Sequence, residues 1–324
     1  MGTVVNIKTA SFSFNLKALE PIILPSYKGS TFRGGFGYAF KRVVCAIREK
    51  ECTDCLLKER CVYSYVFETP PPSDTKIMRK YKAAPHPFVI EPPPERRRGY
   101  KPDDEINFRL ILIGKAIDYL PYFIYTFDEL GRIGIGKGRG KYELKTVKCE
   151  NNPVIPAKAG IQTIYDSETK TLKPFETSAL NLDSASLNFE SYDYGTLTLH
   201  FLTPTRIHYN GRLTFDLEFH ILIRNLLRRL SLLCYFHCGG DPSAWDFKGI
   251  IEKAKEVKVK EKNLRWYDWE RYSGRQETRM KMGGFLGDIT FEGNIEPFMS
   301  LIKAGEVLHV GKGTGFGLGK YRIV

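Results

Sequence analysis

Two stretches of the chain alternate apolar and polar residues, which is the pattern of a half-buried β-strand. They run over residues 14–21 and 197–204, and each ends at a proline. A helix-like pattern follows each stretch, over residues 31–48 and 216–235. We therefore predict that a strand and a helix open each half of the chain.

The second part of each half repeats the same order. Strand-like runs at 106–113 and 285–291 are each followed by a helical stretch, at 118–130 and 294–304. A polar residue begins both stretches, with a proline three residues later, and this is typical of a helix start. The pattern predicts Asp118 and Asn294 as N-caps, with Pro121 and Pro297 in the first turns.

A glycine-rich phrase then closes each half. It reads G-x-G-x-G-K-Y at residues 136–142 and again at 315–321, and the same frame matches Gly134 with Gly313. A single run of this kind predicts only a loop. Its recurrence indicates a duplicated domain that ends in a glycine loop and a last strand.

These elements predict an α+β protein of two tandem ferredoxin-like (RRM-like) domains, each an antiparallel sheet with its helices on one face. We place the first domain at 1–148, including a cysteine-rich insertion at 45–61 and a proline-rich loop at 70–98. Residues 149–191 are predicted as a linker with an inserted hairpin. The second domain spans 192–324 and carries the C-terminal glycine loop at 311–319.

Composition narrows the class of partner. The chain has 324 residues, a 42% hydrophobic fraction and a net charge of +12. Its most apolar region, 220–236, contains three arginines, so it predicts a buried helix rather than a membrane span. With no secretory signal pattern at the N-terminus, we expect a cytoplasmic protein with no membrane partner. The basic excess gathers at 132–148 and at 96–98, which favours a phosphate backbone as partner.

Four cysteines within 17 residues have the spacing of a metal site: Cys45, Cys52, Cys55 and Cys61. Phe32, Phe36 and Phe40 form one apolar face of the predicted first helix, and Cys45 falls on the opposite face. A cysteine that is not part of the core needs another role. We predict a structural zinc; a [4Fe–4S] cluster uses the same ligands and is the less favoured alternative.

Three segments resemble the CRISPR repeat-processing endoribonucleases of the repeat-associated RAMP superfamily. They are the glycine-rich tail 308–319, the aromatic and basic segment 266–276, and the segment 32–42, which with the cysteines after it is similar to a four-cysteine branch. The resemblance implies metal-independent cleavage of precursor CRISPR RNA within its repeats. The 2′-OH attacks the adjacent phosphate and leaves a 2′,3′-cyclic phosphate and a 5′-OH, and no catalytic metal takes part. CRISPR repeat RNA and CRISPR effector subunits are the implied partners.

The resemblance also implies which residues contact RNA. Glycine N–H groups in the C-terminal loop approach phosphates closely, and nearby lysines add charge. If residues 271–279 are helical, three arginines make one basic stripe, and the first glycine loop contributes two more cations. The full predicted set is Gly311, Lys312, Gly313, Gly315, Gly317, Gly319, Lys320, Arg271, Arg275, Arg279, Lys137 and Arg139.

The catalytic base is left open by the sequence. Relatives with this N-terminal motif often carry a histidine where this chain has Tyr38. One alternative is a histidine-free site of Tyr38 with Lys41, Lys28 or Tyr27, and another is proton transfer by His309, beside the loop. His208 is a further candidate for RNA contact, without specific support in the sequence.

The sequence also supports two rival functions. One is an RNA-binding subunit of a CRISPR effector complex that cuts weakly or not at all, which the absence of a histidine from the first helix favours. The cysteines alone favour a third class, a redox or sensing protein with an iron–sulfur cluster.

Overall fold

The structure is a computed structural model that describes residues 5–47, 50–150, 160–182, 195–273 and 278–324. The described residues form two compact units. The N-terminal unit comprises those between 8 and 179 together with 236–238, and the C-terminal unit comprises those up to 7, from 180 to 235 and from 239 onward. Part of the predicted linker at 149–191 lies outside the described residues.

The N-terminal unit contains seven strands and two α-helices among its described residues. They are β1 (Val5–Ala18), β2 (Ile22–Ile23), α1 (Gly29–Val44), β3 (Phe88–Glu91), β4 (Gly99–Tyr100), β5 (Glu105–Ile113), α2 (Leu120–Ile133), β6 (Tyr142–Glu150) and β7 (Ile161–Asp166). The main sheet has the order β3-β5-β1-β6-β7, and all these pairs are antiparallel. The first strand thus lies between the third and fourth strands of a β-α-β-β-α-β unit, which is the predicted ferredoxin-like arrangement.

Phenylalanine rings fill the space between this sheet and its two helices. Phe14 of β1 lies opposite Phe108 of β5, and their ring centroids are 4.8 Å apart. From α1, the fully buried Phe36 places its ring centroid 4.9 Å from that of Phe123 in α2. The predicted apolar face of the first helix is therefore confirmed, since Phe32, Phe36 and Phe40 are all buried. Stacked and tilted ring pairs of this kind stabilise the core beyond the free energy gained by burying their apolar surface.

The C-terminal unit repeats the arrangement. Its elements are β8 (Ser178–Leu182), β9 (Thr196–Thr205), β10 (Ile207–Tyr209), β11 (Arg212–Thr214), α3 (Phe219–His237), α4 (Phe247–Ala254), β12 (Lys258–Tyr267), β13 (Glu270–Ser273), β14 (Thr278–Lys281), β15 (Gly284–Glu292), α5 (Met299–Leu308) and β16 (Tyr321–Ile323). β1, β8 and α3 each contain a boundary between the units. The four-stranded sheet has the order β12-β15-β9-β16 and is antiparallel. This is again a ferredoxin-like order, so the predicted fold class is confirmed.

Several helix ends differ from the sequence prediction. Helix α1 ends at Val44 rather than at 48, and α3 begins at Phe219 rather than at 216. Asp118 and Asn294 are not N-caps, because 3₁₀ turns at Gly114–Tyr119 and Glu296–Phe298 precede α2 and α5. Such turns provide carbonyl partners for N–H groups that a capping side chain otherwise satisfies. Pro121 does lie in the first turn of α2, as predicted.

Strand β12 forms one edge of the C-terminal sheet. Its lysines are exposed at alternate positions, 258, 260 and 262, and its pairing register with β15 shifts between Val259 and Glu261. Two of these lysines form ion pairs: Lys260 with Glu292 at 3.1 Å and Lys262 with Asp216 at 2.9 Å. The outer edge is thus charged and irregular.

No helix within the described residues is long and apolar enough to span a membrane. The longest, α3, instead carries Arg224, Arg228 and the buried Arg229.

Two glycines of α1 offer a matched test of the core. A Cβ at the exposed Gly34 meets no atom within 4 Å, whereas a Cβ at Gly37 lies 2.0 Å from the Phe67 ring. We expect Gly34→Ala to stabilise the protein by about 0.5–1 kcal/mol, because alanine has the higher helix propensity. We expect Gly37→Ala to destabilise it by about 1–3 kcal/mol through overpacking. Urea unfolding of the two variants measures both, and shifts of the same sign would contradict the described packing.

Candidate nucleic-acid interface

The C-terminal glycine loop is bound to the end of β9 by backbone hydrogen bonds. The Lys312 N–H donates to the carbonyl of Arg206 at 2.9 Å, and the Gly319 N–H donates to the carbonyl of Pro204 at 3.2 Å. A third bond, from the Val310 N–H to the Gly319 carbonyl at 2.9 Å, closes the loop on itself. The loop is therefore held in a fixed position beside the strand end.

The first glycine loop makes the corresponding bonds. The Lys137 N–H donates to the Ile23 carbonyl at 2.9 Å, and the Ile135 N–H donates to the Gly140 carbonyl at 2.9 Å. The hydroxyls of Tyr142 and Tyr321 then donate to the carbonyls of Phe127 and Ile302, one in each unit. These bonds confirm the repeat as a structural one.

The hydrogen bonds also correct the frame in which the two loops were aligned. Because Lys137 and Lys312 make the same bond, Gly136 corresponds to Gly311 rather than to Gly315. The residue that corresponds to Gly134 is His309, since both follow the last residue of a helix. The frames agree again at Gly140 and Gly319, so the C-terminal loop contains an insertion at 314–317. The sequence alignment missed it because the inserted residues also include alternate glycines.

Two positions show why the C-terminal loop requires glycine. Gly311 has φ +82°, and a Cβ there would lie 2.4 Å from the Arg206 carbonyl oxygen. Gly319 has φ +76°, and a Cβ there would lie 1.8 Å from the Val310 carbonyl oxygen. Both the backbone conformation and the close approach exclude a side chain.

The loop offers fewer N–H groups to a ligand than the sequence predicts. Gly315, Gly317 and Gly319 are buried, and the N–H groups of Gly317 and Gly319 donate to carbonyls within the protein. Lys312 is exposed, whereas Lys320 is half-buried and its N–H donates to the Thr203 hydroxyl at 2.9 Å. The accessible part of the loop is thus the segment around Gly311, Lys312 and Gly313.

Two arginines outside the loop lie near this segment. Arg206 Nη1 donates to the Gly283 carbonyl at 2.6 Å, and the Arg271 guanidinium lies 4.8 Å from the centroid of the Phe316 ring in the insertion. Burial lowers the pKa of both guanidinium groups, yet arginine remains protonated in proteins. Arg206, Arg271 and Lys312 therefore supply positive charge around the loop. Sequence reasoning missed Arg206 and Phe316, because only the fold brings them to the loop.

The predicted helical arginine stripe is wrong. Residues 270–273 and 278–281 form the antiparallel strands β13 and β14, in which Arg271 pairs with Met280 and Tyr272 pairs with Arg279. Because both residues lie in strands, Arg271 and Arg279 do not share a helix face. Arg275 lies outside the described residues. The run of aromatic residues at 266–272 was the available signal for strands.

His309 lies beneath the loop rather than at its surface. Its ring is fully buried, and Nδ1 lies 3.0 Å from the carbonyl oxygen of Leu318, so Nδ1 carries the proton and donates. Its φ of +64° and ψ of 167° belong to a region normally restricted to glycine, which costs about 1–3 kcal/mol. The structure therefore places His309 as a packed residue that fixes the loop.

The N-terminal catalytic candidates do not form one cluster. Lys28 immediately precedes α1, and Tyr38 lies ten residues further along this helix, which separates them by about 15 Å. Tyr38 is 55% exposed, and it shares its helix face with Lys41 and with Arg42, whose guanidinium lies 5.9 Å from the Tyr38 ring centroid. A histidine-free site at this end of α1 can therefore include Tyr38 and Lys41, but not Lys28 or Tyr27.

Lys28 is buried, and its ammonium group donates to the carbonyl of Glu95. Burial lowers the pKa of Lys28, while the Glu95 carboxylate opposes this effect. Burial and the Glu91 carboxylate raise the pKa of Tyr27 well above its usual value. At the start of α1, Lys28 is thus buried and Tyr27 is half-buried.

A second basic surface lies at the first glycine loop. Ile23 forms an antiparallel bridge with Lys137 on one side and pairs with Gly99 on the other, while the Leu24 N–H donates to the Arg98 carbonyl. Residues distant in sequence are thereby brought to one edge. We call the exposed residues Arg96, Arg98, Lys137 and Arg139 the N-terminal basic edge. No carboxylate among the described residues forms an ion pair with these four side chains.

The four cysteines of the predicted metal site are all half-buried. Cys45 directly follows α1, and its thiol donates to the Ile47 carbonyl at 3.3 Å, while Cys52 and Cys61 pack against the phenylalanine core. Within the described ranges, no three His, Cys, Asp or Glu side chains are grouped so as to hold a metal ion. Burial also raises the pKa of Cys52, which favours its protonated thiol. The structural zinc therefore stays a prediction from the spacing of the four cysteines.

Family models match both parts of the chain. Residues 7–177 match the model described as the AF_1859_N N-terminal domain, and residues 199–321 match CRISPR-associated endoribonuclease Cas6. The second match contains β9, the loop and the cations around it. The part of the chain that carries the candidate interface is therefore similar to a family of RNA-processing enzymes. The chain belongs to the family whose N-terminal domain is described as AF_1859_N, and its C-terminal part is similar to the Cas6 endoribonucleases. No finding confirms the four-cysteine branch.

One sequence relative and two solved structures align with this chain over almost its whole length. An uncharacterized protein of Archaeoglobus fulgidus is 25% identical and covers 97% of this chain and 99% of its own. Among solved structures, a Cas6 product complex is 17% identical, with a TM-score of 0.55, and covers 98% of this chain and 100% of its own. Thermus thermophilus Cas6 is 16% identical, with a TM-score of 0.51 and coverage of 98% and 99%. The structural similarity supports the fold.

Proposed function

We propose that this protein binds CRISPR repeat RNA and cleaves precursor CRISPR RNA within the repeats. The observation that carries the proposal is the C-terminal glycine loop, held on β9 with Lys312, Arg206 and Arg271 around it, in the segment that matches the Cas6 family. A fixed loop with convergent cations suits a phosphate backbone, because the charges need no rearrangement on binding.

The proposed chemistry is attack of the 2′-OH on the adjacent phosphate without a metal. The products are a 2′,3′-cyclic phosphate and a 5′-OH. Negative charge increases on the phosphorane oxygens in the transition state, and preorganised cations stabilise it there. Lys312 is the exposed cation of the loop and is assigned this role, with Arg206 and Arg271 beside it. Tyr38 and Lys41 remain candidates for positioning RNA at α1.

The N-terminal basic edge is assigned a share of the binding energy rather than of the chemistry. Its four cations are exposed and lack ion-pair partners in the described residues, so an RNA backbone displaces no carboxylate from them. Phosphate contacts of this kind supply affinity and orientation without reading sequence.

A second candidate function is a non-catalytic RNA-binding subunit. The observation that favours it is Tyr38, an exposed tyrosine in the helix where related enzymes often carry a histidine. A solved Cas6-RT-Cas1–Cas2 complex is 14% identical, with a TM-score of 0.52, and covers 98% of this chain and 46% of its own. That similarity is one of fold, and it gives the subunit role a structural precedent.

Cleavage of a repeat oligonucleotide in EDTA tests the proposed function. We expect a single cut, with a 2′,3′-cyclic phosphate on the 5′ fragment, and complete block by a 2′-deoxy nucleotide 5′ to the cut. The substrate is the repeat from the chain's own genome, and a scrambled repeat is the control. Scattered products or a requirement for Mg²⁺ would contradict the proposed chemistry. Tight binding with no product at excess protein would instead support the subunit role.

The salt dependence of binding tests the N-terminal basic edge. In Arg98→Gln/Lys137→Gln we expect weaker repeat binding, with the slope of log K against log salt reduced by about one for each lost phosphate contact. Lys248→Gln/Lys253→Gln, two exposed lysines of α4, removes the same charge elsewhere and is the control. Equal slopes in the two double variants would show that only net charge matters.

The structural zinc is tested by metal analysis of the purified protein. If the cysteine prediction holds, each chain contains one zinc and the solution is colourless, and Cys55→Ser loses the metal while Cys238→Ser keeps it. A brown, iron-containing preparation would establish the [4Fe–4S] alternative. Four reactive thiols with no bound metal would refute both.

A further inference from the structure

Five of the six histidines have ring nitrogens engaged by the protein. The partners are Arg33 and Thr69 for His86, Asp288 for His200, Glu218 for His220, Tyr65 and the Pro85 carbonyl for His237, and the Leu318 carbonyl for His309. Within the part of the chain that the structure describes, the His208 ring makes no hydrogen bond, ion pair or ring contact. His208 is thus the exception among the imidazoles.

The backbone of His208 is held on two sides. It lies in β10, where it pairs with Leu213 of β11, and its carbonyl accepts a hydrogen bond from the Asn225 side chain of α3 at 3.2 Å. Its side chain is half-buried. The residue therefore has a fixed position and a ring whose nitrogens are available.

The ring is beside the cations of the glycine loop. Arg206 precedes His208 by two residues, so both side chains lie on the same face of an extended segment. The Arg206 carbonyl accepts the Lys312 N–H, which brings the exposed loop lysine to this segment. Burial lowers the pKa of His208, and the charges of Lys312 and Arg206 lower it further. At neutral pH the imidazole is consequently neutral, with one nitrogen able to accept a proton.

The other charged groups around β10 do not offset this effect. Arg224 of α3 lies 5.8 Å from the centroid of the Tyr209 ring, and Glu218 is engaged with His220 at 3.0 Å. On β11, Arg212 pairs with Tyr209 and adds positive charge. The surroundings of His208 are therefore cationic.

We propose that His208 is the general base of this enzyme, accepting the proton of the RNA 2′-OH next to a phosphate bound by Lys312 and Arg206. The 2′-O–H bond breaks as its proton passes to the free ring nitrogen. The 2′-oxygen then bonds to phosphorus, and the bond from phosphorus to the 5′-oxygen breaks. The departing 5′-oxygen takes a proton from water, and the imidazolium later loses its proton to water.

This inference rests on the proposed function and adds a residue to it. It places the proton acceptor on β10 in the C-terminal unit, rather than in the first helix, where this chain has no histidine. The acceptor and the phosphate-binding lysine then belong to one unit and are connected by the Arg206 carbonyl.

Single-turnover cleavage by His208→Ala tests the inference. General-base catalysis contributes about 10²–10⁴-fold, so we expect the rate constant to fall by at least about 100-fold while repeat binding is unchanged. Added imidazole should restore part of the rate. His200→Ala, which removes a half-buried imidazole bonded to Asp288, should keep the wild-type rate.

The pH profile separates a base from a packing residue. A base acts when neutral, so the wild-type rate should fall as pH drops through the pKa of His208, and this inflection should vanish in His208→Ala. His208→Asn, of closer size, should behave in the same way if the alanine variant folds poorly.

The outcomes distinguish this inference from the proposed function. If wild type cleaves the repeat and His208→Ala cleaves it equally fast, the inference is overturned and the function stands. Loss of rate together with loss of binding, without rescue by imidazole, also overturns it. If wild type binds the repeat and never cuts it, the proposed function itself fails.

Discussion

Contact between backbone and backbone is the constraint on which the rest of this molecule depends. In each unit a carbonyl in the segment after the first strand accepts an N–H from the glycine loop; this carbonyl is that of Ile23 in one unit and that of Arg206 in the other. No side chain fits between the two backbone segments where Gly311 faces Arg206. Because peptide groups make these bonds, the identity of the neighbouring side chains is free to change. The same set of backbone hydrogen bonds thus holds a loop with exposed Lys137 and Arg139 in one unit. In the other unit it holds a loop with Lys312 and an additional turn.

That freedom allows the two similar units to carry different side chains at their glycine loops. The inserted turn at 314–317 gives the C-terminal loop the Phe316 ring, on which the Arg271 guanidinium lies, and the loop's N–H bond fixes Lys312 beside Arg206 and His208. The N-terminal loop has no such turn, and its cations join arginines 96 and 98 along an exposed edge. One surface therefore groups cations with an imidazole, whereas the other carries cations alone. Under the proposed function, RNA affinity and cleavage chemistry belong to separate units.

The elements of the fold were predictable because they depend on local periodicity. The alternation at 14–21 and the spacing of Phe32, Phe36 and Phe40 each describe one face of one element, and both faces are buried as expected. Predictions failed where a residue's role depends on distant partners. The glycine frames were misaligned because only the bond from Lys312 to Arg206 reveals the insertion. The arginine stripe failed because residues 270–273 pair with residues 278–281 as strands. His208 was not distinguishable in sequence, since what sets it apart is that its ring has no hydrogen bond, ion pair or ring contact within the described part of the chain.

The charged edge strand β12 has a consequence for how the molecule behaves in a crowded cell. A ten-residue strand at the border of a sheet is a template on which a strand from another molecule can add, and sheets without protection associate in this way. Here alternate lysines repel an identical strand, and the irregular register near Val259 interrupts the ladder that an incoming chain would have to follow. The strand keeps its unpaired peptide groups in water at little cost to the sheet. The sheet that supports the C-terminal glycine loop is thereby protected from self-association along its β12 edge.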